Sequence, residues 1–293
     1  MTALLESVPN FSEGRDQETI EALRAVLGEH ARLLDVHVDP DHNRSVFTLV
    51  GDAVELLEAL TAGIACARER IDLRRHEGVH PCVGAADVVP IVPIRPEQMD
   101  DACSVALMVA ERIGSELEIP VFLYGEVGGG RGPAFFRRGG PEELQRRLDA
   151  GEIEPDFGPS QLDPAAGAVL VGARQPLVAL NVNLRNGDIE VAREIAALVR
   201  ESGGGFPGVR ALGLELPSRG LVQVSMNIEN WRAAPLHEVV ARIRAEAAAR
   251  GAETVGSELV GLIPAGATAA TAAAALDITG FDTSRVLEAR LLD

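Results

Sequence analysis

The chain has 293 residues; its 44 acidic residues outnumber 27 basic ones, all of them Arg, for a net charge of −17. That balance argues against a basic face for nucleic acid or an anionic membrane, and the absence of Lys excludes a Schiff-base mechanism and a Walker-type phosphate loop. An anionic ligand must then enter a locally positive site against an adverse overall field.

The length exceeds that of a usual single hydrophobic core, which predicts one large or two moderate domains. Aromatics make up only 3% of the residues, so the core must rest on Ala, Val, Leu and Ile. Cys66, Cys82 and Cys103 cannot all pair and show no CxxC spacing, so they read as reduced thiols. No apolar run reaches the roughly 18 residues of a membrane span. Residues 1–10 carry Glu6 and no basic n-region, which does not read as a secretion signal. A cytoplasmic location is expected.

In chain order, periodicity predicts a strand over 4–8 and a helix over 17–29 with Ile20, Leu23 and Leu27 on one side. Strands follow over 33–38 and 45–50. A long helix over 53–70 starts after Asp52, a plausible N-cap. A strand over 88–92 closes a βαββαβ order, and a helix over 98–117 and a strand over 121–124 extend it. Residues 125–172 are rich in Gly and Pro and show one convincing helix, 142–148. So long a loop is usually functional or disordered. From Leu177 the pattern returns: strand 178–183, helix 189–201 with Asp188 as N-cap, strands 209–216 and 221–228 around Pro217-Ser218-Arg219-Gly220, helix 236–250, strand 255–260. The expected fold is α/β (α+β), two ferredoxin-like βαββαβ subdomains over 1–176 and 177–293, with a ligand cleft between them.

The densest chemistry lies in residues 72–87, DLRRHEGVHPCVGAAD. His37, His42, His76 and His80 all sit there or in 35–44, flanking elements of one small sheet, so the two segments can approach each other. Loop histidines are commonly mere surface residues. His80 stands out because its loop, bounded by Gly and Pro, also holds two Arg, a Glu and an Asp. Histidine titrates near neutrality and suits proton transfer. Asp87 and Glu77 are equal candidates to orient its ring. Residues 76–80 match HExxH literally, but that zinc motif needs a helix, and Gly78 and Pro81 oppose one. No metal is expected. The segment 156–167, DFGPSQLDPAAG, reads either as a domain connector or as a loop allowing close ligand approach. No GxGxxG follows a strand and opens a helix, and Ser12 and Ser257 have no GxSxG setting.

VPNFSEG at 8–14, Asn43-Arg44, HEGVHP at 76–81 with Gly84, Ala85 and Asp87, Tyr124-Gly125-Glu126, PDFGPS at 155–160, Gly172-Ala173-Arg174 and VGSELVGL at 255–262 follow one another almost end to end. In this the chain resembles glutamate formiminotransferase, the transferase part of the bifunctional formiminotransferase-cyclodeaminase. The resemblance implies transfer of a formimino group from N-formimino-L-glutamate to N5 of tetrahydrofolate, which serves as co-substrate, in a homodimer. It places the catalytic histidine on His80. It places the folate-contacting loop on Gly158, Pro159, Ser160, Gln161, Leu162, Asp163, Pro164, Ala165, Ala166 and Gly167, with Asn10 and Arg44 joining the binding residues. A formyl donor, or folate binding without turnover, would fit the same residues. Two departures stand out. Members of that family usually carry Arg directly after the His-Pro pair, where this chain has Cys82, leaving Arg44, Arg74 or Arg75 to supply the cation. The mammalian bifunctional enzymes have Asp where this chain has His37, so no role passes to it.

Overall fold

The first strand is interrupted. In the computed structural model, which describes residues 3–287, β1 (Leu5–Ser7) and β2 (Asn10–Phe11) are separated by Val8 and Pro9; Pro9 has no amide to give to a ladder. The outer ends of the two expected domain ranges, residues 1–2 and 288–293, lie outside the described residues. Helix α1 (Gln17–His30) is capped by Asp16 and buries Thr19, Ile20, Leu23 and Leu27. Strands β3 (Arg32–Asp39) and β4 (Arg44–Gly51) pair antiparallel.

Helix α2 (Ala53–Arg70) starts at a full capping box: Asp52 accepts from the amides of Val54 and Glu55, and Glu55 accepts from the amide of Asp52. Its buried face is Leu56, Ala59, Leu60, Ile64 and Ala67. Asp52→Ala removes one side of the box and is expected to cost about 1 kcal/mol. Thermal melting checks this as a midpoint lowered by roughly 2–4 °C for a unit of this size.

Next come β5 (Ala86–Pro93), α3 (Met99–Glu116), β6 (Val121–Gly125), α4 (Pro133–Arg137), α5 (Gly140–Asp149) and β7 (Val169–Ala173). Across the sheet the order is β3, β4, β1 with β2, β5, β7, β6. Neighbours among the first four positions pair antiparallel, whereas β7 joins β5 and β6 in parallel. Alternate residues feed two cores. On one face Phe11, Phe47, Leu49, Val89 and Ile91 pack with α1, α2 and α3. On the other, Val88, Phe122, Tyr124 and Leu170 meet Phe136 of α4, Leu144 and Leu148 of α5, and Val83 and Leu162 from loops.

The stretch 125–172, expected to be largely loop, therefore holds two helices and most of a strand. Strand β7 is five buried residues between β5 and β6. A parallel strand covered on both faces shows no apolar–polar alternation, and here Gly167 and Gly172 break the apolar run that would otherwise mark it.

The chain divides into two compact units between Gln175 and Pro176. The second contains β8 (Val178–Arg185), α6 (Ile189–Val199), β9 (Val209–Leu216), β10 (Leu221–Ile228), α7 (Leu236–Ala249), β11 (Glu253–Val260) and an alanine-rich helix α8 (Ala265–Ala275) absent from the sequence expectation. Its sheet runs β11, β8, β10, β9, all antiparallel. Counted within each unit, the antiparallel strands stand in the same spatial order, fourth, first, third, second. Among the described residues no helix is long and apolar enough to cross a membrane.

Candidate active site

One residue of the first sheet is out of step. Between β2 and β5, Asn10 faces Val88 but Phe11 faces Ala86, so Asp87 is an extra residue, a β-bulge. Bulges re-aim side chains. The Asp87 carboxylate is fully buried and gathers three segments around it. Its Oδ2 accepts from Arg44 Nη1 of β4 at 2.7 Å and from Arg137 Nη2 of α4. Its Oδ1 accepts from the Val83 amide at 2.9 Å and from Arg137 Nε at 3.3 Å. Burial alone would raise the Asp87 pKa, but Arg137, Arg44 and the Val83 amide outweigh it and hold the carboxyl below its ordinary range. Arg44 is fixed further by its Nε, which donates to Asn10 Oδ1 at 3.0 Å, while Asn10 Nδ2 donates to the Val8 carbonyl at 2.7 Å.

The histidine loop lies over the turn between β3 and β4. Val79 donates its amide to the Asp41 carbonyl, and Asn43 Nδ2 reaches His76 Nδ1 at 3.3 Å and the Glu77 carbonyl at 3.4 Å. A side chain at position 78 would strike the His42 carbonyl, so this close approach requires Gly78. The backbone from His76 to His80 is not helical, and His76 itself is extended at ψ 121°. The geometry a zinc pentad requires is therefore missing.

His80 is half-buried, and its ring stacks on that of His42 with centroids 5.8 Å apart. Its Nδ1 lies 2.9 Å from the Pro81 carbonyl oxygen. A carbonyl only accepts, so the contact is a hydrogen bond when Nδ1 carries the hydrogen. That tautomer leaves Nε2 as the basic atom. Among the described residues neither Asp87 nor Glu77 makes a hydrogen bond to the ring; the neighbouring Pro81 peptide does. Burial and then the fields of Arg44 and Arg137 hold the imidazole well below its ordinary pKa, with Asp87 opposing and His42 adding to the depression. It is neutral at pH 7.

The loop 158–167 divides into two parts. Gly158, Pro159, Ser160 and Gln161 are exposed, and among the described residues the Ser160 and Gln161 amides make no hydrogen bond within the protein. Leu162 and Ala166 turn inward and are buried, so only their backbone can face a ligand. Asp163, Pro164, Ala165 and Gly167 form a turn closed by the Gly167 amide on the Asp163 carbonyl at 2.7 Å. The turn is stitched to the segment that carries His80: the Ala85 amide donates to the Ala166 carbonyl at 2.8 Å and Ala168 to the Val83 carbonyl at 2.9 Å.

Two family models cover the chain, the N-terminal subdomain of the formiminotransferase domain over residues 4–174 and the formiminotransferase domain over residues 179–279. The chain belongs to the formiminotransferase family. It is 40% identical to a glutamate formimidoyltransferase of Streptococcus pyogenes serotype M1 over the full length of both chains. It is 39% identical to one of Thermoplasma acidophilum, with 99% of this chain and 97% of that one covered. The rat formimidoyltransferase-cyclodeaminase is 40% identical over 90% of this chain, but only 51% of the rat protein is covered.

Within this formiminotransferase chain the cation expected after His-Pro comes from elsewhere. Arg74 is tied to Asp72 at 2.7 Å and Arg75 is exposed, and of the three candidates it is Arg44 whose field acts prominently on His80. Its companion is Arg137, which the sequence reading missed. The available signal was weak: Pro133 opens a one-turn helix in which Phe136 is buried, so the following residue is held against the sheet. Burial and the Asp87 charge raise the Cys82 pKa, keeping it a thiol.

Proposed function

We propose that this protein transfers the formimino group of N-formimino-L-glutamate to N5 of tetrahydrofolate, with His80 as base and then acid. The observation that carries this reading is the placing of the imidazole: its Nδ1 lies 2.9 Å from the Pro81 carbonyl, which favours the Nδ1–H tautomer and leaves Nε2 as the basic atom, with the fields of two guanidiniums acting on the ring. N5 attacks the formimino carbon and His80 Nε2 takes the N5 hydrogen as a proton. The bond from that carbon to the glutamate nitrogen then breaks, and the imidazolium returns the proton to that nitrogen. The products are 5-formiminotetrahydrofolate and glutamate, and no redox change occurs.

The sequence suggests an imidazole pKa near 7, whereas burial and the guanidiniums lower it. A low value favours the second step. The imidazolium is then a stronger acid toward the leaving nitrogen, and N5 becomes acidic enough to release its proton only as its new bond forms. Folate would lie along residues 158–167, whose first part offers exposed backbone, with Asn10 holding Arg44 in place. The reading extends to residues 1–176 as the part carrying the histidine and folate loop, to 177–293 as the second subdomain, and to a cytoplasmic homodimer working without metal.

A direct test offers purified protein tetrahydrofolate with N-formimino-L-glutamate and, separately, glutamate with 5-formyltetrahydrofolate. The expected result is 5-formiminotetrahydrofolate from the first pair at a rate at least tenfold above any reaction of the second. Folate binding without transfer from either donor would end the reading.

A further inference from the structure

The cluster around Asp87 has more positive charge than it neutralises. Two guanidiniums share the one Asp87 carboxylate, so these three groups together carry one net positive charge in a chain whose net charge is −17, with Asp39 and Asp41 buried at the adjoining turn. Each guanidinium also keeps a donor in reserve. Arg44 uses Nε on Asn10 and Nη1 on Asp87, and Arg137 uses Nε and Nη2 on Asp87. Arg44 Nη2 and Arg137 Nη1 make no hydrogen bond among the described residues. Neither is among the fully buried atoms that lack a partner, so both reach accessible space.

We infer that Arg44 and Arg137 together receive the α-carboxylate of the amino-acid donor, with Arg137 as a specificity-determining residue. The assignment rests on the transfer reading above and deepens it. A carboxylate matches two N–H donors presented by fixed guanidiniums. Asp87 already holds both planes, so little side-chain freedom is lost on binding. In the donor, the α-carboxylate is separated from the nitrogen that must leave by a single carbon. Holding it beside His80 therefore brings that nitrogen within reach of the imidazole, whereas the γ-carboxylate lies at the far end of the side chain. The same contact would relieve the charge that depresses His80. Burial, Arg44, Arg137 and His42 depress the imidazole and Asp87 opposes them, while Asp39 and Asp41 lie buried at the β3–β4 turn beneath the loop; an added anion raises the imidazole pKa in the complex.

The test compares wild type with Arg137→Gln and Arg137→Lys, using N-formimino-L-glutamate and its analogue in which the α-carboxylate is a carboxamide. Loss of a charged hydrogen bond predicts a KM for the donor raised on the order of 10- to 100-fold in Arg137→Gln, with KM for tetrahydrofolate unchanged within about twofold. Arg137→Lys keeps the charge without the fork and should fall between. For the carboxamide the penalty of Arg137→Gln should be less than about threefold, because wild type has already lost the same contact; a variant that is merely misfolded would lose both donors equally. In wild type the acid limb of kcat should lie at higher pH than that of kcat/KM, and the kcat/KM limb should move up in Arg137→Gln. Equal penalties for the two donors, or an unchanged donor KM in an active variant, would overturn the inference and leave the transfer reading standing. A wild type that does not use N-formimino-L-glutamate overturns both.

Discussion

His80→Ala is expected to lower turnover at least about a hundredfold while leaving the affinity for tetrahydrofolate within about twofold of wild type. The two halves of this result come from separate parts of the site. The imidazole supplies proton transfer, and a well-placed group of this kind contributes about 10²–10⁴ in rate. The segment proposed for folate hangs on the backbone of Val83 and Ala85, not on the ring. Truncation at Cβ also leaves the Val83 amide on Asp87 and the guanidiniums in place. The pH dependence gives an independent readout. His80 must be neutral to accept the N5 proton, and its pKa in the free protein is depressed by burial, Arg44 and Arg137. The acid limb of kcat/KM should accordingly fall below about pH 6.5, the unperturbed histidine value, and flatten through neutrality. Single-turnover measurements with equilibrium folate binding would decide the matter. Turnover close to wild type would remove His80 from the chemistry, and a parallel loss of folate affinity would assign it to binding.

Local chemistry explains which parts of this molecule are legible in its sequence. Caps at Asp16, Asp52 and Asp188 are within two or three residues of the amides they satisfy, so helix starts can be read directly. The turn 217–220 likewise marks the ends of β9 and β10. The loop with His80 is visible because its two histidines, two arginines and Pro81 lie within a dozen residues. What surrounds the ring is different in kind. Arg137 is 50 residues from Asp87, on a helix of five residues in a stretch dominated by glycine. Nothing in local periodicity pairs the two. Their meeting depends on β7 entering between β5 and β6 and on α4 covering the face so formed. The bulge at Asp87 is equally silent, since the pattern of β5 reads as an unbroken apolar run after it.

Asp87 itself supports the second large effect. Asp87→Asn keeps the shape of the side chain but leaves the Arg44 and Arg137 guanidiniums, 9% and 14% exposed, without a countercharge. Breaking a buried ion pair from one side costs about 3–5 kcal/mol, and this variant breaks two pairs at once. Chemical unfolding should show that loss as a lower midpoint with an unchanged slope for the first unit. The pH dependence follows from the sign of the shift. A carboxyl depressed in the folded state contributes its stabilisation fully above its unfolded value of about 3.9. The contribution fades as pH falls from there through the lower folded value, so the gap between wild type and Asp87→Asn should narrow on acidification. Adding Arg137→Gln to Asp87→Asn removes one of the two stranded charges, and the double variant should be more stable than Asp87→Asn alone. A less stable double variant would mean that Arg137 supports the fold through the packing of its own side chain against the sheet, with Asp87 a bystander. Turnover should fall as well: without Asp87 the field at His80 becomes more positive, its pKa drops further, and the base that must capture the N5 proton becomes weaker.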